Sequence, residues 1–109
     1  MSAFSLNKTV TIVVGQSTSD KFPTGEFQGG SFYCPAVVTG TINFEVSNDG
    51  TNWDSLSNAA ATFADIAAPA VNKPRALPTN LFEFMFARFK ANANQAAADA
   101  SIVVSMYGY

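Results

Sequence analysis

The ten residues FEVSNDGTNW, Phe44 to Trp53, hold the side chains best suited to ligand chemistry. Their carboxylates and amides around a glycine suggest three alternatives: a calcium loop, a sugar-binding tip or a hairpin turn. An EF-type calcium loop would place Glu45, Ser47 and Asp49 at its first, third and fifth positions. Its twelfth position, which requires a glutamate, is Leu56. The sequence therefore disfavours calcium.

The hairpin interpretation needs the fewest assumptions. Asp49-Gly50 is typical of a tight turn, because glycine adopts positive φ without strain and aspartate tolerates it. Asn48 and Asp49 would then cap amides of the turn, Asn52 would satisfy the returning strand, and Trp53 would anchor the core. The sugar-binding alternative needs Trp53 to face outward and stack on a pyranose, with Asn48, Asp49 and Asn52 near its hydroxyls.

Other chemistry is sparse. The sequence has no histidine, the commonest general base and metal ligand. The single cysteine, Cys34, is expected to be a small buried hydrophobic residue. Glu45 is expected on an outer strand face, and Glu83 is expected to pair with Arg88 or Lys90 or to lie exposed. We therefore expect no enzymatic activity, no cofactor and no metal site.

Composition limits the partners. The chain of 109 residues is expected to form a single domain, residues 1–109. Its net charge is −2 and its six basic residues are scattered, which argues against nucleic acid. The start lacks a signal-peptide pattern, and no apolar run approaches the ~20 residues of a membrane span. Charged residues make up 13% of the sequence, a low share that favours a subunit of an assembly.

The pattern along the chain is that of short strands separated by glycine, proline, asparagine and serine. Residues 8–14 are rich in β-branched side chains and are expected to form a strand. Residues 15–30 are expected to form a long polar loop with a short edge segment near Phe27. Residues 40–47 alternate cleanly, and residues 101–109 form a closing strand. The inward positions expected from this alternation are Val10, Ile12, Val14, Ile42, Phe44, Val46, Ile102, Val104 and Met106.

The sequence thus predicts an all-β fold, an antiparallel β-sandwich of the jelly-roll or Ig-like kind with about six to eight short strands. An N-terminal arm is expected at residues 1–7 and a long Ala/Pro-rich loop at residues 57–80. Residues 81–90, LFEFMFARFK, are expected to form a central strand that is apolar on both faces. A homo-oligomer, dimer or trimer, would cover its second face.

Three segments together resemble small virion proteins of tailed bacteriophages: GTINFEVSNDGTNWDSL, FMFARFKANANQAAADASIVVSMYG and the Ala/Pro-rich segment between them. The shared features are a strand ending in S-x-D-G-x-x-W, a later strand with an arginine between aromatic residues, and a short apolar final strand. The resemblance covers about Gly40 to Tyr107. It implies a β-sandwich that decorates or cements a capsid, or that builds a head or tail appendage.

If the resemblance holds, the partner is the lattice of the major capsid protein, and the chain resides in the virion after assembly in the host cytoplasm. Interface residues are expected where apolar side chains occur in polar or terminal stretches. The candidates are Phe4, Leu6, Phe22, Phe27, Tyr107 and Tyr109. The alternative functions are a carbohydrate-binding or adhesion module, whose tip would be Asn48, Asp49, Asn52 and Trp53, and a tail or baseplate component.

Overall fold

The computed structural model describes residues 4–56, 66, 71–96 and 98–108, with the backbone alone at Phe4. These residues contain eight strands and one 3₁₀ helix, Thr79–Glu83. The strands are β1 (Phe4–Ile12), β2 (Phe22–Pro23), β3 (Gly29–Tyr33), β4 (Ile42–Ser47), β5 (Asp54–Ser55), β6 (Arg75–Ala76), β7 (Phe86–Ala91) and β8 (Ala100–Gly108). No helix in these ranges has the length and hydropathy of a membrane span.

The strands form two antiparallel sheets. Sheet A has the order β1-β8-β3-β6, and sheet B has the order β2-β7-β4-β5. Successive strands alternate between the two sheets, except that β4 and β5 form a hairpin within sheet B. This is the strand order of a jelly roll. The expected all-β sandwich is confirmed, and its order is that of the jelly roll, not of the Ig-like alternative.

The strand pairs are nested, as in one long antiparallel ribbon doubled back on itself. Moving outward from the β4–β5 hairpin, β3 pairs with β6, β2 with β7, and β1 with β8. The paired residues that mark this nesting are Glu45 with Ser55, Ser31 with Ala76, Phe22 with Ala87, and Phe4 with Gly108. The turn between β4 and β5 is therefore the bend of the whole ribbon.

The alternation in β4 and β8 predicts their inward faces correctly. The inward side chains of these strands are fully or almost fully buried: Ile42, Phe44, Val46, Ile102, Val104 and Met106. In β1 the prediction holds for Val10 and Ile12 but is wrong for Val14, which is 45% exposed. The strand ends at Ile12, and the Val14 N–H donates to Asp99 Oδ1 at 2.8 Å.

The N-terminal boundary also differs from the expectation. Residues 4–7, assigned to an arm, are the first residues of β1 and pair with residues 105–108 of β8. The long loop at residues 57–80 falls mostly outside the described residues. Its described part contains β6, and Ile66 forms an isolated bridge with Ile42.

Aromatic rings join the two sheets. Phe32 of sheet A lies with its ring centroid 5.1 Å from that of Phe89 and 6.1 Å from that of Phe44, both in sheet B. Phe44 and Phe89 are 5.1 Å apart, and Phe22 lies 5.5 Å from Phe89. All four side chains are essentially inaccessible to solvent. Such edge-to-face and tilted contacts add to the free energy that burial already supplies.

The prediction of one strand over residues 81–90 is wrong. Pro78 introduces the 3₁₀ helix, whose Leu81 is buried, and β7 begins only at Phe86. The inward residues of β7 are Ala87, Phe89 and Ala91. The apolar residues of this segment thus belong to two elements. No single strand with two apolar faces exists here, so this segment no longer supports the expectation of a homo-oligomer.

Truncation of Phe32 to alanine is expected to lower the free energy of unfolding by ~3–5 kcal/mol, because the ring leaves a cavity at the centre of the inter-sheet contacts. Val37, 78% exposed, provides the control, since Val37→Ala is expected to change stability by less than about 0.5 kcal/mol. Urea unfolding followed by circular dichroism measures both changes. Equal effects of the two substitutions would contradict the assignment of the core.

Candidate functional site

The β4–β5 turn is closed by hydrogen bonds among its own groups. The Ser47 hydroxyl accepts from the N–H groups of Asp49 and Gly50, at 3.2 and 2.8 Å, and donates to Asp49 Oδ1 at 2.8 Å. Asp49 Oδ1 also accepts from the N–H groups of Thr51 and Asn52, each at 2.8 Å. Gly50 has a φ of +79°. The expected turn, with glycine at positive φ and Asp49 as its cap, is confirmed.

The Asp49 carboxylate is consequently a fixed part of the turn. The backbone N–H groups of Asn52 and Thr51, followed by the Ser47 hydroxyl and the Asn52 amide, hold the pKa of Asp49 well below its usual range. Its second oxygen accepts from Asn52 Nδ2 at 2.6 Å. Asn48 Oδ1 accepts a long hydrogen bond of 3.4 Å from the N–H of Met85. The groups expected to bind sugar hydroxyls already bind one another or the neighbouring loop.

Trp53 does not anchor the core, so this part of the hairpin prediction is wrong. It lies half-buried beside Arg88, whose guanidinium carbon is 4.4 Å from the centroid of the indole. Arg88 Nη2 lies 2.7 Å from Glu45 Oε1, and Arg88 Nε donates to the same oxygen at 2.8 Å. Glu83 is exposed in the 3₁₀ helix and is not the partner of Arg88.

Trp53, Arg88 and Glu45 form a cluster on the outer face of sheet B. Register explains it, since Arg88 and Glu45 are cross-strand partners and Glu45 pairs on its other side with Ser55 of the edge strand. The guanidinium therefore has a carboxylate on one side and an aromatic ring on the other, two interactions that suit its planar charge. One indole face is occupied by Arg88 and is not open to a stacked pyranose.

A metal site finds no support in the described ranges, where no group of three or more carboxylate or thiol side chains converges. The two carboxylates of the EF-type alignment have different partners, since Glu45 binds Arg88 and Asp49 binds its own turn. The polar side chains of this hairpin thus serve to stabilise its turn.

The outer face of sheet A differs sharply from that of sheet B. Its outward positions in the described strands carry no charged side chain, in a pattern set by the register of β1, β8 and β3. We call this surface the A face. It consists of Ser5, Asn7, Thr9, Thr11, Gly29, Ser31, Tyr33, Ala76, Ser101, Val103, Ser105 and Tyr107.

Two tyrosines project from the A face, with Tyr33 36% exposed and Tyr107 47% exposed. The Tyr107 ring lies across Gly29, where a Cβ would be 2.5 Å from the tyrosine hydroxyl oxygen. A side chain at position 29 would therefore displace the Tyr107 ring from this place. Beside the ring is a shallow cleft of about 380 Å³, whose floor includes Ser31 and Ser105.

The structure separates the candidate interface residues. Phe22 and Phe27 are buried in the core, so their assignment to an exposed interface is wrong. Leu6 is partly buried and packs against the core, and Tyr107 lies on the A face. The Phe4 side chain and Tyr109 lie outside the described residues. The isolated phenylalanines of a polar loop were expected on the surface, but β2 and the following turn direct them inward.

Gln95 was not singled out from the sequence, although it joins three loops. It is buried, its Oε1 accepts from the Thr39 N–H at 2.8 Å, and its Nε2 donates to the Thr39 carbonyl at 3.1 Å. Its backbone exchanges hydrogen bonds of 2.9 Å with Gly15 and Gln16. The sequence offers one weak indication of this role, since Gln95 is a long polar side chain within an alanine-rich segment.

Cys34 is buried, as expected. Burial raises the pKa of its thiol to about 11, against the opposing effect of the Arg75 charge. The protonated thiol is a poor nucleophile at neutral pH, because thiolate is the reactive form.

Comparison of the chain with protein-family models, with curated proteins and with solved structures found no match.

The turn is expected to make stability depend on pH through Asp49. Since the folded pKa lies below the unfolded value of about 3.9, the carboxylate contributes stability above about pH 4 and loses it progressively as the pH falls. The stability advantage of the wild type over Asp49→Asn is therefore expected to be larger at about pH 7 than at about pH 3. Urea unfolding at both pH values measures it, and a constant difference would contradict the assigned role.

Trp53→Ala is expected to cost ~1–2 kcal/mol of stability, less than Phe32→Ala, because the indole is only half-buried and its charge contact is partly exposed. The chain has a single tryptophan, so its fluorescence reports this cluster directly. Arg88→Ala uncovers one face of the indole to water and is therefore expected to shift Trp53 emission to longer wavelength. A destabilisation by Trp53→Ala as large as that of Phe32→Ala would place the indole in the core instead.

Proposed function

We propose that this chain is a structural protein of a tailed-bacteriophage particle, which decorates or cements the capsid by binding the major capsid protein through the A face. The observation that carries the proposal is the absence of charge from this face in the described strands. Cores of protein interfaces are depleted in charged residues and enriched in tyrosine. Tyr33 and Tyr107 fit that composition.

The distribution of the remaining charges supports the choice of face. The outer side of sheet B holds the Glu45–Arg88 ion pair, and Lys21 there lies with its ammonium 5.2 Å from the centroid of Phe86. Desolvating such groups against a partner costs free energy unless each is matched. Serine, threonine and asparagine on the A face lose less when water is removed, because backbone and side-chain groups of a partner can replace its hydrogen bonds.

Fold and sequence add two further supports. Jelly rolls occur in viral capsid domains as well as in lectins, so the fold is compatible with the proposal but does not decide it. The S-x-D-G-x-x-W motif that carries the phage resemblance forms the bend of the ribbon and the Arg88 cluster, which are structural roles. The same contacts weigh against the sugar-binding alternative, since they engage Asp49 and one face of Trp53.

The chemistry of the described residues favours a non-catalytic role. Cys34 is buried with its pKa raised, and the Asp49 carboxylate is held by its own turn. Neither group is free to act as a nucleophile or a general base.

A charge placed on the A face is expected to abolish attachment to the particle. Ser105→Arg puts a guanidinium at the centre of the face, and Ser55→Arg puts the same group on the outer side of sheet B as a matched control. Binding is measured by co-sedimentation with purified particles of the phage whose genome encodes the chain, from which the chain has been deleted. We expect wild type and Ser55→Arg to bind, and Ser105→Arg to bind at least about tenfold more weakly.

Circular dichroism establishes that both variants are folded. Loss of binding by Ser55→Arg with retention by Ser105→Arg would contradict the assigned face. Absence of the chain from the purified wild-type particles, tested by mass spectrometry, would contradict the proposed function itself. Binding of the wild type to a glycan array that is lost in Trp53→Ala would favour the adhesion alternative.

A further inference from the structure

The edges of the two sheets are unequal. Three of the four edge strands, β2, β5 and β6, have two residues each, whereas the fourth, β1, has nine. Proteins usually shorten or cover edge strands, because an open edge presents unpaired N–H and C=O groups to other chains. The length of β1 therefore requires an explanation that the other edges do not.

The hydrogen-bond pattern identifies which groups of β1 are open. The Thr11 N–H donates to Asp20 Oδ2 at 3.4 Å, so the backbone of Thr11 points away from β8. Backbone direction alternates along a strand, and Ser5, Asn7 and Thr9 therefore point the same way. Within the described part of the chain, nothing hydrogen-bonds to the backbone of these three residues on that side.

The open segment has clear limits. It starts at the first described residue of β1, and it ends where Ser19 bridges Ile12 and Asp20 approaches Thr11. The free stretch is thus residues 4–10, with Asn7 at its midpoint. An extended strand is the partner that satisfies alternating N–H and C=O groups along such an edge.

We propose that the occupant of this edge is β1 of a second copy of the chain, paired antiparallel about a two-fold axis through Asn7. In this register Ser5 faces Thr9 of the second copy, Asn7 faces its own equivalent, and about six backbone hydrogen bonds form. Hydroxyl and amide side chains directly opposite each other hydrogen-bond across strands. The two-fold axis thus pairs residues 4–10 of the two copies without placing two like charges directly opposite each other.

Lys8 is the one charged residue of the open segment, and edge lysines normally oppose pairing. In the proposed register it faces Leu6 of the second copy and lies diagonal to its own equivalent. Its ammonium already donates to the Lys21 carbonyl at 3.2 Å, toward the loop that precedes β2. Other charges close to the edge are those of Asp20 at the end of the open segment and Lys21.

The area of the A face favours this occupant. With ~3.3 Å per residue and ~4.8 Å between strands, the face of one copy covers roughly 400 Å². A standard protein interface buries about 800 Å² on each partner. Pairing through β1 joins two A faces into one continuous eight-stranded surface of about that size. This area argument rests on the proposed function, whereas the open edge of β1 does not, and the pairing is tested on the purified chain alone.

Sedimentation equilibrium from about 1 to about 200 µM tests the pairing. We expect the mass to rise from 11.5 kDa toward twice that value with concentration. Asn7→Pro removes an N–H that makes no bond to β8, so it is expected to weaken the dimer about tenfold or more while the chain stays folded. Asn7→Ala keeps the N–H and loses only the side-chain contact, so it is expected to weaken the dimer much less than Asn7→Pro does.

Cysteine cross-linking supplies a second test that does not depend on proline. Asn7→Cys places two thiols next to each other at the two-fold axis, within the Cα separation that a disulfide requires. In Thr9→Cys each thiol faces Ser5 of the second copy, so the two thiols lie four residues apart along the strands, too far for a disulfide. Under mild oxidation Asn7→Cys is expected to give a covalent dimer and Thr9→Cys is not, while the buried Cys34 stays unmodified.

A chain that stays monomeric at every concentration overturns the inference, as does a dimer unaffected by Asn7→Pro or cross-linked equally through position 9. A monomer whose A face still binds particles would leave the proposed function standing. A dimer that ignores particles would leave the pairing standing.

Discussion

The fold depends on one constraint: the chain behaves as a single antiparallel ribbon bent at the β4–β5 turn. Ser47 and Asp49 close that bend with hydrogen bonds inside the turn, and Gly50 supplies its positive φ. The pairs β3–β6, β2–β7 and β1–β8 are nested outside this hairpin, and the rolled ribbon adds the pairs β4–β7 and β3–β8. Rolling the ribbon brings Phe32 of sheet A against Phe89 of sheet B, and burial of these rings fixes the two sheets in place.

The rolled ribbon has two outer faces with different chemistry. On sheet B, the Arg88 guanidinium is held between Glu45 and Trp53, so Arg88 and Glu45 neutralise each other within the chain. On sheet A, short uncharged polar side chains surround two tyrosines, and the adjoining edge is open over residues 4–10. A surface that is inexpensive to desolvate and borders unpaired backbone is suited to assembly. The difference between the two outer faces therefore connects the fold to the proposed structural role.

Sequence reasoning succeeded where the signal was local. Alternation in β4 and β8 identified their buried residues, and the Asp49-Gly50 pair identified the turn. It failed where the outcome depended on a neighbouring strand: the position of Trp53 is set by Arg88, which register alone brings beside it. The apolar run at residues 81–90 is shared between the 3₁₀ helix, which follows Pro78 and ends at Glu83, and β7, which begins at Phe86, and its period of two conceals that break. The uncharged A face required the strand order, which no local pattern contains.

Oxidative footprinting of the chain, free and bound to the phage particle that we propose as its partner, tests the central claim that the A face is the interface. Hydroxyl radicals modify exposed aromatic and sulfur-containing side chains, so Tyr33 and Tyr107 report on the A face, while Trp53 and Met85 report on the hairpin and its neighbouring loop. The account predicts that binding protects the two tyrosines and leaves Trp53 and Met85 as reactive as before. Protection confined to Trp53 and Met85, with both tyrosines unchanged, would contradict it.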